Sequence, residues 1–205
     1  MKKYLIKLLV LSQLMFVGQA VADDADSLKV RLSGLKSFTA AFSQTVKDEQ
    51  GTAVHEAQGA ITMTRPNKLR WETTMPDETS LIADGESVWH VDFFVEQVTV
   101  MSQQQAIENN PMVLLTSNSE AIWQQYSITQ VDDNAYNVSP TSGNGQIRTL
   151  TVQFDEAGLA GLVMLDSQQQ QSVIQFTNRK FNAVISPEQF SVAVPDGFML
   201  DDQRS

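Results

Sequence analysis

The chain has 205 residues, with 24 acidic side chains against 14 basic ones, and no cysteine. A net charge of −10 repels phosphate backbones and anionic headgroups, which excludes nucleic acid as a partner. Without cysteine, disulfides have no part in the fold.

Residues 1–22 read as an export signal. Lys2, Lys3 and Lys7 form a basic start, an apolar run extends from Leu8 to Val17, and Ala20-Val21-Ala22 supplies a small-x-small cleavage site. The run is shorter than the ~20 residues that span a bilayer, and no later segment approaches that length. The expectation is an exported protein with a single domain over residues 23–205. None of the 24 acids and three of the 14 basic residues lie in the signal, so the remainder carries 11 against 24, a net of −13. With no cysteine after the signal to be acylated, the expected product is a free species with no stable membrane association, acting as a monomer.

From Asp24 to Leu35, Leu28, Leu32 and Leu35 fall on one stripe with Lys29 and Arg31 elsewhere, which predicts a helix. Asp26 or Ser27 is the expected cap, and acids at this end suit the helix dipole. The period then becomes two. Phe38, Ala40, Phe42, Gln44 and Val46 predict a strand, and Asp48-Glu49-Gln50-Gly51 predicts a turn. Ala57-Gly59-Ile61-Met63 continues as a second strand and Leu69-Trp71-Thr73 as a third, after an Arg65-Pro66 pair. Asp84-Gly85 is a hairpin signal between Leu81-Ile82 and Val88–Val91, and Val95–Met101 follows as another strand. The stretch Arg65–Gln97 places Leu69, Trp71, Trp89 and Phe93 at alternating positions with no catalytic group between them. That pattern suits holding an apolar ligand better than reacting with it.

Residues 102–123 break the alternation. Ser102–Ile107, Pro111–Leu115 and Glu120–Trp123 read as short helical or irregular pieces. Strands resume at Tyr126–Val131, Ala135–Val138, Gln146–Phe154, Leu159–Leu165 and Ser172–Asn178, and Gln168–Gln171 reads as an exposed hairpin tip. Phe190–Val194 is the expected last strand, with Pro195-Asp196-Gly197 turning the chain into a short tail. Ten or eleven short strands at hairpin spacing predict one mainly β, strongly curved antiparallel sheet. If that sheet does not close on itself, the first helix and the 102–123 insertion must cover its concave face.

Chemistry-bearing motifs are sparse. His55 and His90 are the two histidines, and no carboxylate pattern around either resembles a metal site, so no metal or other cofactor is expected. No G-x-S-x-G elbow and no phosphate-cradling glycine loop occur. Asp132-Asp133, Asp155-Glu156 and Asp201-Asp202 read as solvated turns, although a glycosidase-type carboxylate pair stays open at this level. An enzyme is therefore disfavoured.

At RPNKLRWE, DGESVWHVDFFVEQVTV, NPMVLL and PDGFMLDDQR the chain resembles the LolA family of periplasmic outer-membrane lipoprotein carriers. The likeness starts at LKVRLSGLKSFTAAFSQTV and reaches the final DDQR. It implies an unclosed β-barrel of about 11 strands with short α-helices as a lid. It also implies a carrier that accepts acylated lipoproteins from an inner-membrane ABC transporter, LolCDE, and delivers them to the outer-membrane receptor LolB. By the same resemblance, Arg65 points inside and hydrogen-bonds backbone of the lid near Leu32, Met112 and Leu115. The expected acyl-chain cavity is walled by Ile61, Met63, Leu69, Trp71, Trp89 and Val91, chosen by strand parity, together with Leu28 of the helix. Leu69 departs from the family, where an aromatic residue is common. The competing readings are a sensor or carrier of other lipids on the same fold, and a periplasmic hydrolase.

Overall fold

Period-two alternation becomes strand wherever a neighbouring hairpin supplies a ladder partner. The computed structural model describes residues 23–106, 110–143 and 145–204; the expected signal lies outside them. Helix α1 (Asp24–Ser33) is followed by β1 (Ser37–Lys47), β2 (Ala53–Thr64), β3 (Lys68–Met75), β4 (Thr79–Ala83), β5 (Ser87–Asp92) and β6 (Gln97–Ser102). The cover then follows: α2 (Gln103–Ala106), a 3-10 segment Pro111–Leu115 and α3 (Glu120–Trp123). Strands β7 (Tyr126–Asp132), β8 (Ala135–Pro140), β9 (Ile147–Asp155), β10 (Gly158–Asp166) and β11 (Gln171–Phe181) complete the meander. A second 3-10 segment, Pro187–Phe190, precedes β12 (Met199–Asp202).

All twelve strands form one sheet in the order β12-β6-β5-β4-β3-β2-β1-β11-β10-β9-β8-β7. Its edges β12 and β7 are not paired with each other, so the curved sheet is an unclosed barrel. Two details differ from the sequence reading. The expected strand Phe190–Val194 begins as the end of a 3-10 segment and continues without regular structure. The expected tail instead holds the twelfth strand, which runs parallel to β6 from Met199↔Gln97 to Asp202↔Val100. Two adjacent acids hide that strand from any alternation test; its partner strand, not its composition, makes it.

Helix α1 also ends differently at its start. Asp23 is the N-cap and makes no side-chain cap bond. The expected caps are engaged elsewhere: Ser27 Oγ lies 2.7 Å from the Tyr136 hydroxyl, and Asp26 lies 3.7 Å from the Lys29 ammonium; Asp24 Oδ2 accepts the Gln130 amide at 2.9 Å. Arg31 donates to the Asp133 carbonyl at 2.6 Å, and Lys29 pairs with Glu120 of α3 at 2.9 Å. These bonds seat α1 over β7, β8 and α3.

The sheet buries residues on both faces. On the concave side, Leu28 and Leu32 of α1 and Val113, Leu114 and Leu115 of the cover pack onto Phe38, Phe42, Ile61, Met63, Leu150, Leu162 and Ile174. The Phe38 ring meets Phe176 edge-on at 5.3 Å. Each such side chain contributes roughly 1.5–3 kcal/mol on burial. On the convex side, Ile82, Val91, Val98 and Val100 are also buried, outside that core. The C-terminal segment covers them: Phe190 is buried, Arg70 donates to the Gln189 carbonyl, and the Arg204 guanidinium lies 5.2 Å from the Trp89 ring.

Tyr126 closes the β7 end of the concave core, and its hydroxyl finds no hydrogen-bond partner among the described residues. Burial pushes this phenol up to about 12. The folded chain therefore keeps a proton that an unfolded one releases near pH 10, so stability is untouched below about pH 10 and falls between about pH 10 and 12. Tyr126→Phe is expected to be neutral or up to ~1 kcal/mol stabilising at neutral pH, because it deletes an unsatisfied hydroxyl. It is also expected to flatten part of the alkaline loss. Urea unfolding of both proteins at about pH 8 and pH 11 checks this; an equal alkaline loss in the two would refute it.

Candidate functional site

Arg65 sits in the connection between β2 and β3, where the backbone is held on both sides. Its amide donates to the Lys36 carbonyl at 2.9 Å, and the Asn67 amide donates to the Thr116 carbonyl at 3.1 Å. Asn67 adopts a left-handed φ of 62°, which an asparagine tolerates. The side chain then reaches inward. Nη1 donates to the carbonyls of Leu32 at 3.1 Å and Leu115 at 3.4 Å, and Nη2 to the Ser117 carbonyl at 2.6 Å. Nε and Nη2 both donate to Asn118 Oδ1, at 3.0 and 2.6 Å.

Four acceptors from three pieces of the cover thus converge on one guanidinium, and none is a carboxylate. Burial lowers the Arg65 pKa, but from so high a value that the group stays charged. Arg65 is half-buried, so its charge needs acceptors in place of lost water, and hydrogen bonds to charged groups are worth about 1.5–3 kcal/mol each. Leu32 lies in the last turn of α1, where the helix dipole favours a cation; its carbonyl also accepts the Leu35 amide at 3.0 Å. Arg65 therefore ties the sheet to the C-terminal end of α1, to Pro111–Leu115 and to the loop after it.

Beside this latch lies a cavity of about 390 Å³. Its walls are Leu69 and Trp71 of β3, Leu81 and Ala83 of β4, Val88 and His90 of β5, and Met101 of β6. Ala106, Asn110, Met112, Val113 and Thr116 roof it, with Gln44 and Met164 on the far side. Strand register explains the lining. Leu69, Ala83, Val88 and Met101 pair in one row across the sheet, and Trp71, Leu81 and His90 in the next. Trp71 stacks on Phe42 with centroids 4.3 Å apart, an approach permitted by Gly59 opposite Phe42. Gln103 props the floor: its amide accepts from Gly85 N at 3.1 Å and donates to the Asn67 carbonyl at 3.0 Å.

The named residues separate into three places. Leu69 and Trp71 line the cavity. Leu28, Ile61 and Met63 are wholly buried in the packed part of the core and are not among the cavity walls, because α1 and Leu114-Leu115 fill that part of the interior. Trp89 and Val91 are on the convex face, opposite to the parity expectation. Trp89 pairs in register with Ile82 and Val100, and its indole donates to Asp84 Oδ2 at 2.9 Å. Burial alone would raise the Asp84 carboxyl, but the Ser87 and Glu86 amides and this indole hold it below the ordinary range. Met112 is not a partner of Arg65; it faces the cavity. Sequence reasoning missed Ala83, Val88, His90, Met101 and Gln103 in the cavity and Ser117 and Asn118 at the latch. Once Trp71 faces inward, hairpin register identifies the wall residues; nothing local marks the latch acceptors.

Among the described residues, no group of three or more His, Asp or Glu side chains is placed to hold a metal, and no helix is long and apolar enough to cross a membrane. The open, curved sheet and its helical cover thus enclose an apolar hollow. The family model "Outer membrane lipoprotein carrier protein LolA" matches residues 33–193, and the chain belongs to that family. It is a carrier family rather than an enzyme family. The chain is 38% identical to an outer-membrane lipoprotein carrier protein of Pseudoalteromonas translucida, over 100% of this chain and 99% of the relative. It is 36% identical to the protein of the same description from Salmonella paratyphi B, with 100% of both chains covered. Among solved structures, an uncharacterized conserved protein from Thermus thermophilus superposes with a TM-score of 0.52 at 11% identity, covering 88% of this chain and 97% of that one. A domain from Vibrio parahaemolyticus superposes with a TM-score of 0.50 at 12% identity, covering 82% and 94%. Both likenesses concern the fold alone.

Proposed function

We propose that this protein is a periplasmic carrier that shields the acyl chains of lipoproteins in transit. In this reading residues 1–22 direct export and residues 23–205 act as one monomeric carrier domain. It receives its cargo from the inner-membrane releasing complex LolCDE and yields it to the receptor LolB. The observation that carries the reading is the apolar cavity beneath a cover latched by Arg65, in a chain of the LolA family.

Energetics explain why such a carrier is needed. Each exposed methylene costs ~0.8 kcal/mol, so an anchor with three long chains costs on the order of 30 kcal/mol in water. The closed cavity, near 390 Å³, lies at the lower end of the ~300–1,000 Å³ range of pockets that enclose one drug-sized molecule. A multiply acylated anchor needs more room, so loading requires the cover to lift and the Arg65 bonds to break. The loaded state then holds a poorly satisfied guanidinium, which favours reclosure and hand-over to a receptor of higher affinity. Leu69, at the wall below Met112, is where cover and cargo compete for the same surface.

Native mass spectrometry of the protein purified from periplasm tests this, supported by release of lipoprotein from inner-membrane spheroplasts. Bound acylated polypeptide and stoichiometric release are expected. Free glycolipid as the bound species, or no release, would overturn the reading.

A further inference from the structure

The cavity has a closed end and an open end, and its polar groups are not evenly placed. Val113, Thr116, Gln103, Ala83 and Val88, near the latch, are each less than a tenth exposed. Gln103 and Thr116 bond the backbone of Asn67, two residues from Arg65, which puts this closed end at the latch. In the next row outward, Leu81 is 39% exposed and His90 is exposed as well. The mouth is therefore at the Leu81–His90 pair.

The three wall amides are already engaged. Gln44 donates to Ser172, Gln103 bonds Gly85 and Asn67, and the Asn110 carboxamide oxygen accepts the Met112 amide. His90 is the single ionisable side chain in the lining, and among the described residues its ring nitrogens have no hydrogen-bond partner. Its register neighbours Leu81 and Thr99 carry no charge. A mainly apolar cavity whose wall amides are engaged, with one free imidazole at its mouth, matches a ligand that is apolar along its length and polar at one end. An ester or amide carbonyl that stops at this mouth is within reach of an imidazole N–H, which fixes its position as water does not.

We propose that the cavity takes one acyl chain methyl end first, toward the Arg65 side, with its ester or amide carbonyl held at the mouth by His90. His90 is then a ligand-binding residue that sets the direction and depth of the chain. This rests on the carrier reading above and adds to it the pose of the cargo. The direction also brings the chain's end against Met112 and Val113 of the cover, where it bears on the latched segment.

The test uses an N-palmitoyl dipeptide amide and a linear alkane of matching length, bound to the full mature protein. Trp71 stands in the mouth row with His90, so it reports on position. In a protein carrying Trp89→Phe and Trp123→Phe, a palmitoyl probe brominated near its carbonyl is expected to quench Trp71 more than one brominated at its methyl end. Independently of those changes, His90→Leu is expected to weaken the palmitoyl peptide about three- to tenfold, the weight of one neutral hydrogen bond, and to leave the alkane unaffected. His90→Gln, which keeps a donor, is expected to restore the peptide. Stronger quenching from the methyl end, or an equal loss for peptide and alkane in His90→Leu, overturns the proposal while the carrier reading stands. If wild-type protein binds no acylated probe, both fall.

Discussion

Arg65→Leu is expected to leave the protein folded and able to accept cargo, but to slow hand-over to the receptor by more than tenfold. The guanidinium is not part of the concave core; its work is confined to the acceptors of Leu32, Leu115, Ser117 and Asn118. Those bonds exist in the empty, closed form and break when the cover lifts. Removing them destabilises the closed form and not the loaded one, so the cargo is held more tightly and leaves more slowly. Two charge-assisted hydrogen bonds at about 1.5–3 kcal/mol each exceed the 1.4 kcal/mol that corresponds to a factor of ten. Arg65→Lys is expected to fall in between, since one ammonium does not span acceptors spread over three segments. The measurement is transfer of a loaded lipoprotein from purified carrier to receptor-bearing membranes, with hydrogen exchange of residues 110–118 as a second readout. Transfer as fast as wild type would remove Arg65 from the gate.

Gly59→Ala is expected to be the most destabilising single methyl in the sheet, with a loss of about 3 kcal/mol or more in urea unfolding. A Cβ at this position lies 1.8 Å from the Glu72 carbonyl oxygen of β3 and 2.7 Å from the Phe42 ring. The ring is able to turn aside, but the carbonyl belongs to the backbone of the paired strand, beside the register shift between Gln58 and Gly59. Either the β2–β3 ladder opens or Phe42 leaves Trp71, and both alter the cavity wall. Gly161→Ala, with its nearest backbone atom at 2.6 Å, is the internal comparison and is expected to be milder. If Gly59→Ala unfolds at the wild-type urea concentration with unchanged Trp71 fluorescence, the close approach has no energetic role.

What was legible without coordinates was local. The Asp84-Gly85 hairpin is read from chemistry that acts within four residues: Asp84 Oδ1 accepts the amides of Glu86 and Ser87, and Gly85 has a φ of 110°. The Asp155 and Asp166 turns work the same way, each carboxylate accepting amides two residues and more ahead. The misreading of Trp89 and Val91 has an equally physical origin. Strand β5 carries apolar residues on both faces because both are covered, Val88 on the inner face by the helical roof and Trp89 on the outer face by the Arg204 guanidinium of the C-terminal segment. Alternation distinguishes a wet face from a dry one and is silent when both are dry.

Read alone, then, the sequence determined the strand-and-turn plan, the position of the covering insertion, the absence of cysteine chemistry and the family. Each of these depends on residue type and short spacing. Only the tertiary structure decided which face of β5 looks into the hollow, that the tail returns as a parallel edge strand, and which carbonyls meet Arg65. Those outcomes join residues dozens of positions apart, such as Leu32, Arg65 and Ser117. Backbone carbonyls are common to every residue type, so no side-chain pattern announces which of them a half-buried cation will find.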